Sequence, residues 1–153
     1  MEKKDREQVL KIVHATEMFT PAEIFFAEEQ IGIYLNQQNQ RDYNLVVIEN
    51  ENHQVVGYMS YGPTPLTEGT YDLYWMAVAP EEHGRGYGKE LVGWLEKCVK
   101  EVNGRIIVIE TSSQPKYQST RQFYVHLGYK EVSRIADFYK PGDDRIIYTK
   151  YLA

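Results

Sequence analysis

The stretch YDLYWMAVAPEEHGRGYGKELVGWLEKCVKEV, Tyr71 to Val102, places an apolar strand, a glycine-rich turn and an amphipathic helix in direct succession. No residues are left over for an ordinary loop. Gly84, Gly86 and Gly88 alternate with Arg85 and Tyr87, so the backbone can take positive φ and turn its amides inward without Cβ clashes. The helix that begins near Gly88 adds its unsatisfied first-turn N–H groups and the positive end of its dipole. Arg85 and Lys89 reinforce the sign. Such a segment cradles a phosphate or a pyrophosphate.

Three kinds of phosphate motif are separable by spacing. A Walker loop requires a glycine five residues before the Gly88-Lys89 pair and a Ser or Thr after it, where this chain has His83 and Glu90. A dinucleotide fingerprint requires its third glycine three residues after the second, whereas these glycines run at intervals of two and no βαβ unit opens the chain. The segment His83-Gly84-Arg85-Gly86-Tyr87-Gly88, preceded by Met76-Ala77-Val78 and Pro80, resembles the signature of the GNAT N-acetyltransferase superfamily. That signature is Gln or Arg, two residues, Gly, one residue, then Gly or Ala; His83 departs at the first position. A second segment, RQFYVHLGYKEV from Arg121 to Val132, is similar to the superfamily's late helix, with Phe123, Tyr124, Gly128 and Tyr129 at the matching places. The resemblance covers most of the chain from Tyr43 onward.

The resemblance implies an α/β fold: a mixed, mostly antiparallel central sheet with helices on both faces and a splayed parallel strand pair, as in acyl-CoA N-acyltransferases. It implies one N-acetyltransferase domain over residues 1–153. Members usually begin with a strand before the first helix, whereas this chain starts almost directly in a helix at Asp5.

Composition bounds the possibilities. A chain of 153 residues with 42% hydrophobic content is large enough for one core and too small for two. A formal charge of −5, with Lys and Arg scattered, argues against a nucleic-acid or anionic-membrane partner. Cys98 stands alone, which excludes an internal disulfide. With no signal-like or membrane-length apolar run, the expected compartment is the cytoplasm. The four histidines, His14, His53, His83 and His126, lack ligand spacing, and no metal is expected.

Along the chain, Asp5 to about Gln38 reads as two helices, the second opened by Thr20-Pro21-Ala22-Glu23, a capping box with proline at the first helical position. Ile24, Phe25, Ala27, Ile31 and Leu35 give that helix an apolar stripe. Tyr43–Glu49 and Gln54–Tyr61 read as a hairpin around Asn50–His53. A proline-interrupted loop, 62–69, then leads to a strand over Asp72–Val78. The helix from Gly88 presents Leu91, Leu95, Cys98 and Val102 on one side. Asn103-Gly104 ends it, and Arg105–Glu110 forms a strand parallel to the one before. A helix near Ser119–Leu127 capped by Gly128, a strand from Tyr129 to about Ala136, a turn at Pro141-Gly142-Asp143 and a strand Arg145–Tyr151 complete the chain.

The resemblance also implies roles. A backbone N–H around Met76, in the stretch Met76-Ala77-Val78, would polarise the thioester carbonyl of acetyl-CoA, the cosubstrate, while residues 83–89 (His83, Gly84, Arg85, Gly86, Tyr87, Gly88, Lys89) hold its diphosphate. Tyr124 matches the general acid that protonates the leaving thiolate; a phenol near pKa 10 stays protonated at neutral pH. Asp72, four residues before Met76, stands where many relatives carry a basic glutamate. Glu110 and a water chain are alternatives. Tyr117, seven before Tyr124, replaces an Asn that often contacts the cofactor, and it joins the cofactor-binding set with Tyr124. Thr111, Ser112 and Ser113 lie at the carboxyl edge of a strand, where they serve either a ligand or a cap. The expected reaction passes acetyl directly to a small-molecule or peptide amine in a ternary complex, with a homodimer as one possible assembly. Alternatives are a non-catalytic acyl-CoA-binding module and a protein N-terminal or lysine acetyltransferase.

Overall fold

Thr20 caps its helix as the sequence dictates. Its hydroxyl accepts the Glu23 N–H at 3.3 Å, and the Glu23 carboxylate takes the Thr20 N–H at 2.7 Å. In the computed structural model, which describes residues 1–152, the chain divides into two compact units. One comprises Met1–Pro63 and Tyr74–Leu95; the other comprises Thr64–Leu73 and the chain from Glu96 onward.

The first unit begins with a 3₁₀ turn at Lys3–Asp5, followed by α1 (Arg6–Ala15) and α2 (Pro21–Asn36). Among the described residues no strand precedes α1. Strands β1 (Asn44–Glu49) and β2 (Val55–Pro63) pair antiparallel, from Asn44 opposite Tyr61 to Glu49 opposite Val55. The Asn50 side chain closes the hairpin by accepting the N–H groups of Asn52 and Gln54, both at 3.0 Å. Val9, Ile12 and Val13 of α1 and Ile31 of α2 bury against Leu45, Val55, Tyr58, Ala77 and Ala79. Two residues beyond Tyr58, the Ser60 hydroxyl reaches Gln30 of α2 at 2.7 Å, so α1 and α2 cover one face. On the other face Tyr61 meets Trp94 of α3 (Tyr87–Glu101), ring centroids 6.1 Å apart.

The expected α2 stripe is narrower than its apolar residues suggested. Ala27 and Ile31 are buried, whereas Phe25 is 64% exposed. A similar correction applies to α3. Its buried side is Leu91, Val92, Leu95 and Val99, Cys98 is only half-buried, and Val102 lies exposed past the helix end. The seam runs through Val92 and Val99, the latter one residue on from the predicted Cys98.

In the second unit, the start of β3 (Thr70–Val78) pairs parallel with β4 (Ile106–Ser112), from Thr70 opposite Ile106 to Leu73 opposite Ile109. β4 runs antiparallel to β6 (Asp143–Tyr151), and β6 antiparallel to β5 (Lys130–Lys140). The six-stranded sheet has the order β1-β2-β3-β4-β6-β5, one parallel pair and the rest antiparallel, which is the mixed α/β class expected. Alternation along β4 buries Ile107, Ile109 and Thr111 with Leu73, Ile146 and Tyr148. Strand β5 runs to Lys140, beyond the predicted Ala136. An irregular register between Ile135 and Lys140 and the positive φ of Asp137 let it continue through a segment whose pattern reads as a strand end.

Helix α4 (Gln118–His126) ends on Gly128, whose φ is +88. Gly128 N–H bonds to the Val125 carbonyl at 3.0 Å and Tyr129 N–H to the Tyr124 carbonyl at 3.0 Å, the two bonds of a Schellman cap.

Candidate active site

The end of β3 is anchored before the turn begins. Ala79 N–H bonds to the Val56 carbonyl at 2.8 Å, and Pro80–Glu82 makes one 3₁₀ turn. Gly84 and Gly86 follow with φ of +79 and +91, in the region that favours glycine. A Cβ built on either would meet nothing within 4 Å. Their φ needs glycine, and the space around them is open. The Gly86 carbonyl accepts the Glu90 N–H at 3.0 Å, which makes Gly86 the helix N-cap. The amides from Gly86 to Lys89 are then the unsatisfied first-turn donors of α3.

Side chains around the turn are held by their own neighbours. His83 Nε2 sits 2.8 Å from the Val78 carbonyl, tying the turn back to β3. Arg85 Nη1 lies 3.1 Å from Glu82. Arg85 and Tyr87, with Glu82 and hairpin residues Asn50, Glu51, Asn52 and Gln54, line a cavity of about 420 Å³. Ala77 is buried; Met76 and Val78 are partly exposed; Gly88 and Lys89 begin α3.

In the second unit, Tyr124 is 5% exposed, and burial pushes its phenol pKa well above the usual value. Its ring lies 5.2 Å from that of Phe123 and 5.9 Å from that of Tyr129, both edge-on. The Schellman cap fixes the turn that carries it. Behind this turn Lys150 Nζ donates to both Glu96 oxygens, at 2.8 and 2.9 Å, and to the Leu127 carbonyl at 2.8 Å. Tyr117 occupies the N-cap of α4, with Lys116 Nζ 4.9 Å from its ring centre.

The candidate bases differ in their partners. The Asp72 carboxylate accepts the Thr64 hydroxyl at 2.7 Å. Glu110 instead meets Arg145 Nη2 at 2.5 Å and accepts the Tyr139 hydroxyl at 2.8 Å. Burial, with that hydrogen bond second, raises the Tyr139 phenol pKa. Ser112 and Ser113 bond to the chain around them, the Ser112 hydroxyl accepting the Gln114 N–H at 3.0 Å. Ser112 donates to Asp143, and the Ser113 hydroxyl accepts the Asp144 N–H at 2.7 Å.

Several residues here carried no sequence signal. Asp143 is 4% exposed; burial raises its pKa, but hydrogen bonds from Ser112 and Gln114, the charge of Lys140 and the Ser113 amide together hold its carboxyl below the ordinary value. Arg121 Nη1 donates to the carbonyls of Ser112 at 2.8 Å and Gln114 at 3.0 Å, stitching the loop after β4 to α4. The Asp143 bonds join segments about 30 positions apart, which no local spacing encodes.

The sequence profile of the acetyltransferase (GNAT) domain matches residues 41–131, a span that holds both the glycine turn and Tyr124. The chain belongs to the GNAT family. It is 33% identical over 115 residues, 74% of this chain and 73% of the relative, to the ribosomal protein bS18-alanine N-acetyltransferase of Haemophilus influenzae. A crystal structure of a GNAT-family protein from Desulfovibrio desulfuricans superposes with a TM-score of 0.92 at 39% identity, covering 99% of this chain and 94% of that one. An aminoglycoside 6′-N-acetyltransferase solved with coenzyme A shares the fold, with a TM-score of 0.76 at 19% identity over 99% of this chain and 93% of that one. This GNAT protein is an N-acetyltransferase that moves an acetyl group to an amine. None of its helices is long and apolar enough to cross a membrane among the described residues.

Proposed function

We propose that the chain acts as a single acetyltransferase domain in the cytoplasm, taking acetyl-CoA as donor and passing the acetyl group directly to a small-molecule or peptide amine in a ternary complex. The observation that carries this reading is the glycine turn. Gly84 and Gly86 hold left-handed φ with open space where their side chains would be, next to the free first-turn amides of α3. That combination suits a diphosphate: backbone donors, a positive dipole end, and no Cβ to block approach. His83, bonded to the Val78 carbonyl, supports the turn, so the amides rather than the first motif side chain do the gripping.

Acetyl-CoA supplies an activated thioester. The chain supplies the rest. A backbone N–H around Met76, in a strand already held in place, stabilises charge developing on the carbonyl oxygen without reorganisation. Tyr124 keeps its proton through the working pH range, because burial raises its pKa, and donates it as the thiolate leaves. The base role falls to Asp72, acting through water, since Glu110 is already committed to Arg145 and Tyr139. No covalent enzyme intermediate is needed. Burial raises the Cys98 thiol pKa, with Glu101 adding to the rise, opposite to an activated nucleophile.

The test is amine-dependent release of CoA from acetyl-CoA, measured across peptide termini, polyamines, amino acids and amino sugars. Turnover with at least one class that drops about a hundredfold or more in Tyr124→Phe supports the assignment. Undiminished turnover in that variant overturns it.

A further inference from the structure

One face of the second unit's sheet is partly open and carries charges in register. Asp72 pairs with Val108, Glu110 with Ile147, and Ser112 with Arg145, which sets Asp72, Val108, Glu110, Arg145 and Ile147 on the same side. The opposite side holds the buried Leu73, Ile107, Ile109 and Ile146. On the open side the Arg145 guanidinium lies 4.9 Å from the Phe138 ring centre, and its Nη2 meets Glu110 at 2.5 Å. Arg145 Nε is buried without a hydrogen-bond partner. A guanidinium has five donors in a planar fork, and a buried donor left unpaired calls for an acceptor. Around it stand large apolar side chains left to solvent: Phe138 at 47%, Tyr139 at 46% and Ile135 at 43% exposure.

We propose that Arg145 is the carboxylate-binding residue of the acceptor site, so that the amine to be acetylated also bears a carboxylate. This rests on the acetyl-transfer reading above, with Asp72 beside the reacting nitrogen. A carboxylate matches the guanidinium fork, whereas a dianion such as a phosphate is disfavoured by Glu110 alongside. The register also sets the ligand's length. Asp72 pairs with Val108 and Arg145 with Ser112, four residues on, roughly 13 Å along the strand at about 3.3 Å per residue, and with β4 between their strands adding about 10 Å across the sheet the two backbones stand roughly 16 Å apart. The long Arg145 and Glu110 side chains shorten that span. An extended acceptor fits it, with the nitrogen and the carboxylate separated by an apolar linker that passes the exposed rings.

The experiment compares ω-amino acids of increasing length, their methyl esters and their phosphonate analogues as acceptors of the full chain, by kcat/KM and by equilibrium titration of the acetyl-CoA-depleted protein. The free acid is expected to exceed its ester by about tenfold to a hundredfold, the range of a charge-assisted hydrogen bond. In Arg145→Gln that ratio collapses toward one, and in Arg145→Lys it falls partway. In Glu110→Gln, which removes the competing carboxylate, it rises. A wild-type protein that treats acid and ester alike, prefers the phosphonate, or keeps its ratio in Arg145→Gln overturns the proposal. CoA release with any amine reads acetyl transfer separately from this ratio, and the titration reads the ratio even where turnover is slow.

Discussion

In the proposed function the glycine turn and the Tyr124 helix contribute by opposite routes. At the turn, Gly84 and Gly86 are exposed, their missing side chains leave open space, and the useful groups are main-chain amides. At Tyr124 the group the proposed function uses is one side-chain hydroxyl, on a residue packed among Phe123 and Tyr129 and held by a Schellman cap. Gripping a diphosphate needs several weak donors facing one point; delivering a proton needs one donor that cannot wander.

If that division holds, the variants separate cleanly. Tyr124→Phe should cut kcat by about 10²- to 10⁴-fold while CoA affinity, measured by calorimetry, stays within about twofold. A parallel loss of affinity would merge the two regions into one. Gly86→Val should do the reverse, weakening CoA binding by about tenfold or more, through a side chain placed at φ +91 in the approach path. Its melting temperature should fall far less than its affinity. Gly104 provides the control, because it is a glycine chosen for packing. A Cβ there would run into the Val99 side chain and lie 2.8 Å from the Val99 carbonyl. Gly104→Ala should therefore cost about 1–3 kcal/mol of stability, read by denaturant unfolding, and leave CoA affinity intact at permissive temperature.

Two smaller effects follow from titration. Burial raises the phenol pKa of Tyr58, Tyr124 and Tyr129 above 10.0, so the folded chain keeps protons that the unfolded chain releases. Stability from this source is fully present below about pH 10 and is lost as pH rises beyond it. Thermal melts across that range should show the decline, and Tyr124→Phe should flatten it. Cys98→Ala should change turnover least of all; an inactive but folded variant would reinstate a covalent route.

Much of the fold was legible because its signals are local. The Thr20–Glu23 capping box, the Asn50 hairpin and the Gly128 cap each act within a few residues, and each forms where the sequence placed it. The glycine turn was readable for the same reason. What the sequence hid is set by tertiary packing. Phe25 has the right spacing for the α2 stripe yet faces solvent, and the α3 seam passes through Val99 instead of Cys98, because a helix has more apolar positions than its partner sheet covers. Glu110 reads as a free carboxylate at a strand end until Arg145, 35 positions further along the sequence, pairs with it. Asp143 likewise takes its meaning from Gln114 and Ser112, a segment no spacing rule connects to it.

The proposed function requires that main-chain nitrogens from Gly84 to Lys89 hold the diphosphate of the acyl carrier. Titrating ¹⁵N-labelled protein with CoA and following every amide tests it directly. The largest, saturable shifts should fall on Gly84 through Lys89, and inorganic pyrophosphate should move the same set. Amides there that stay still while CoA saturates a different group of residues would contradict it.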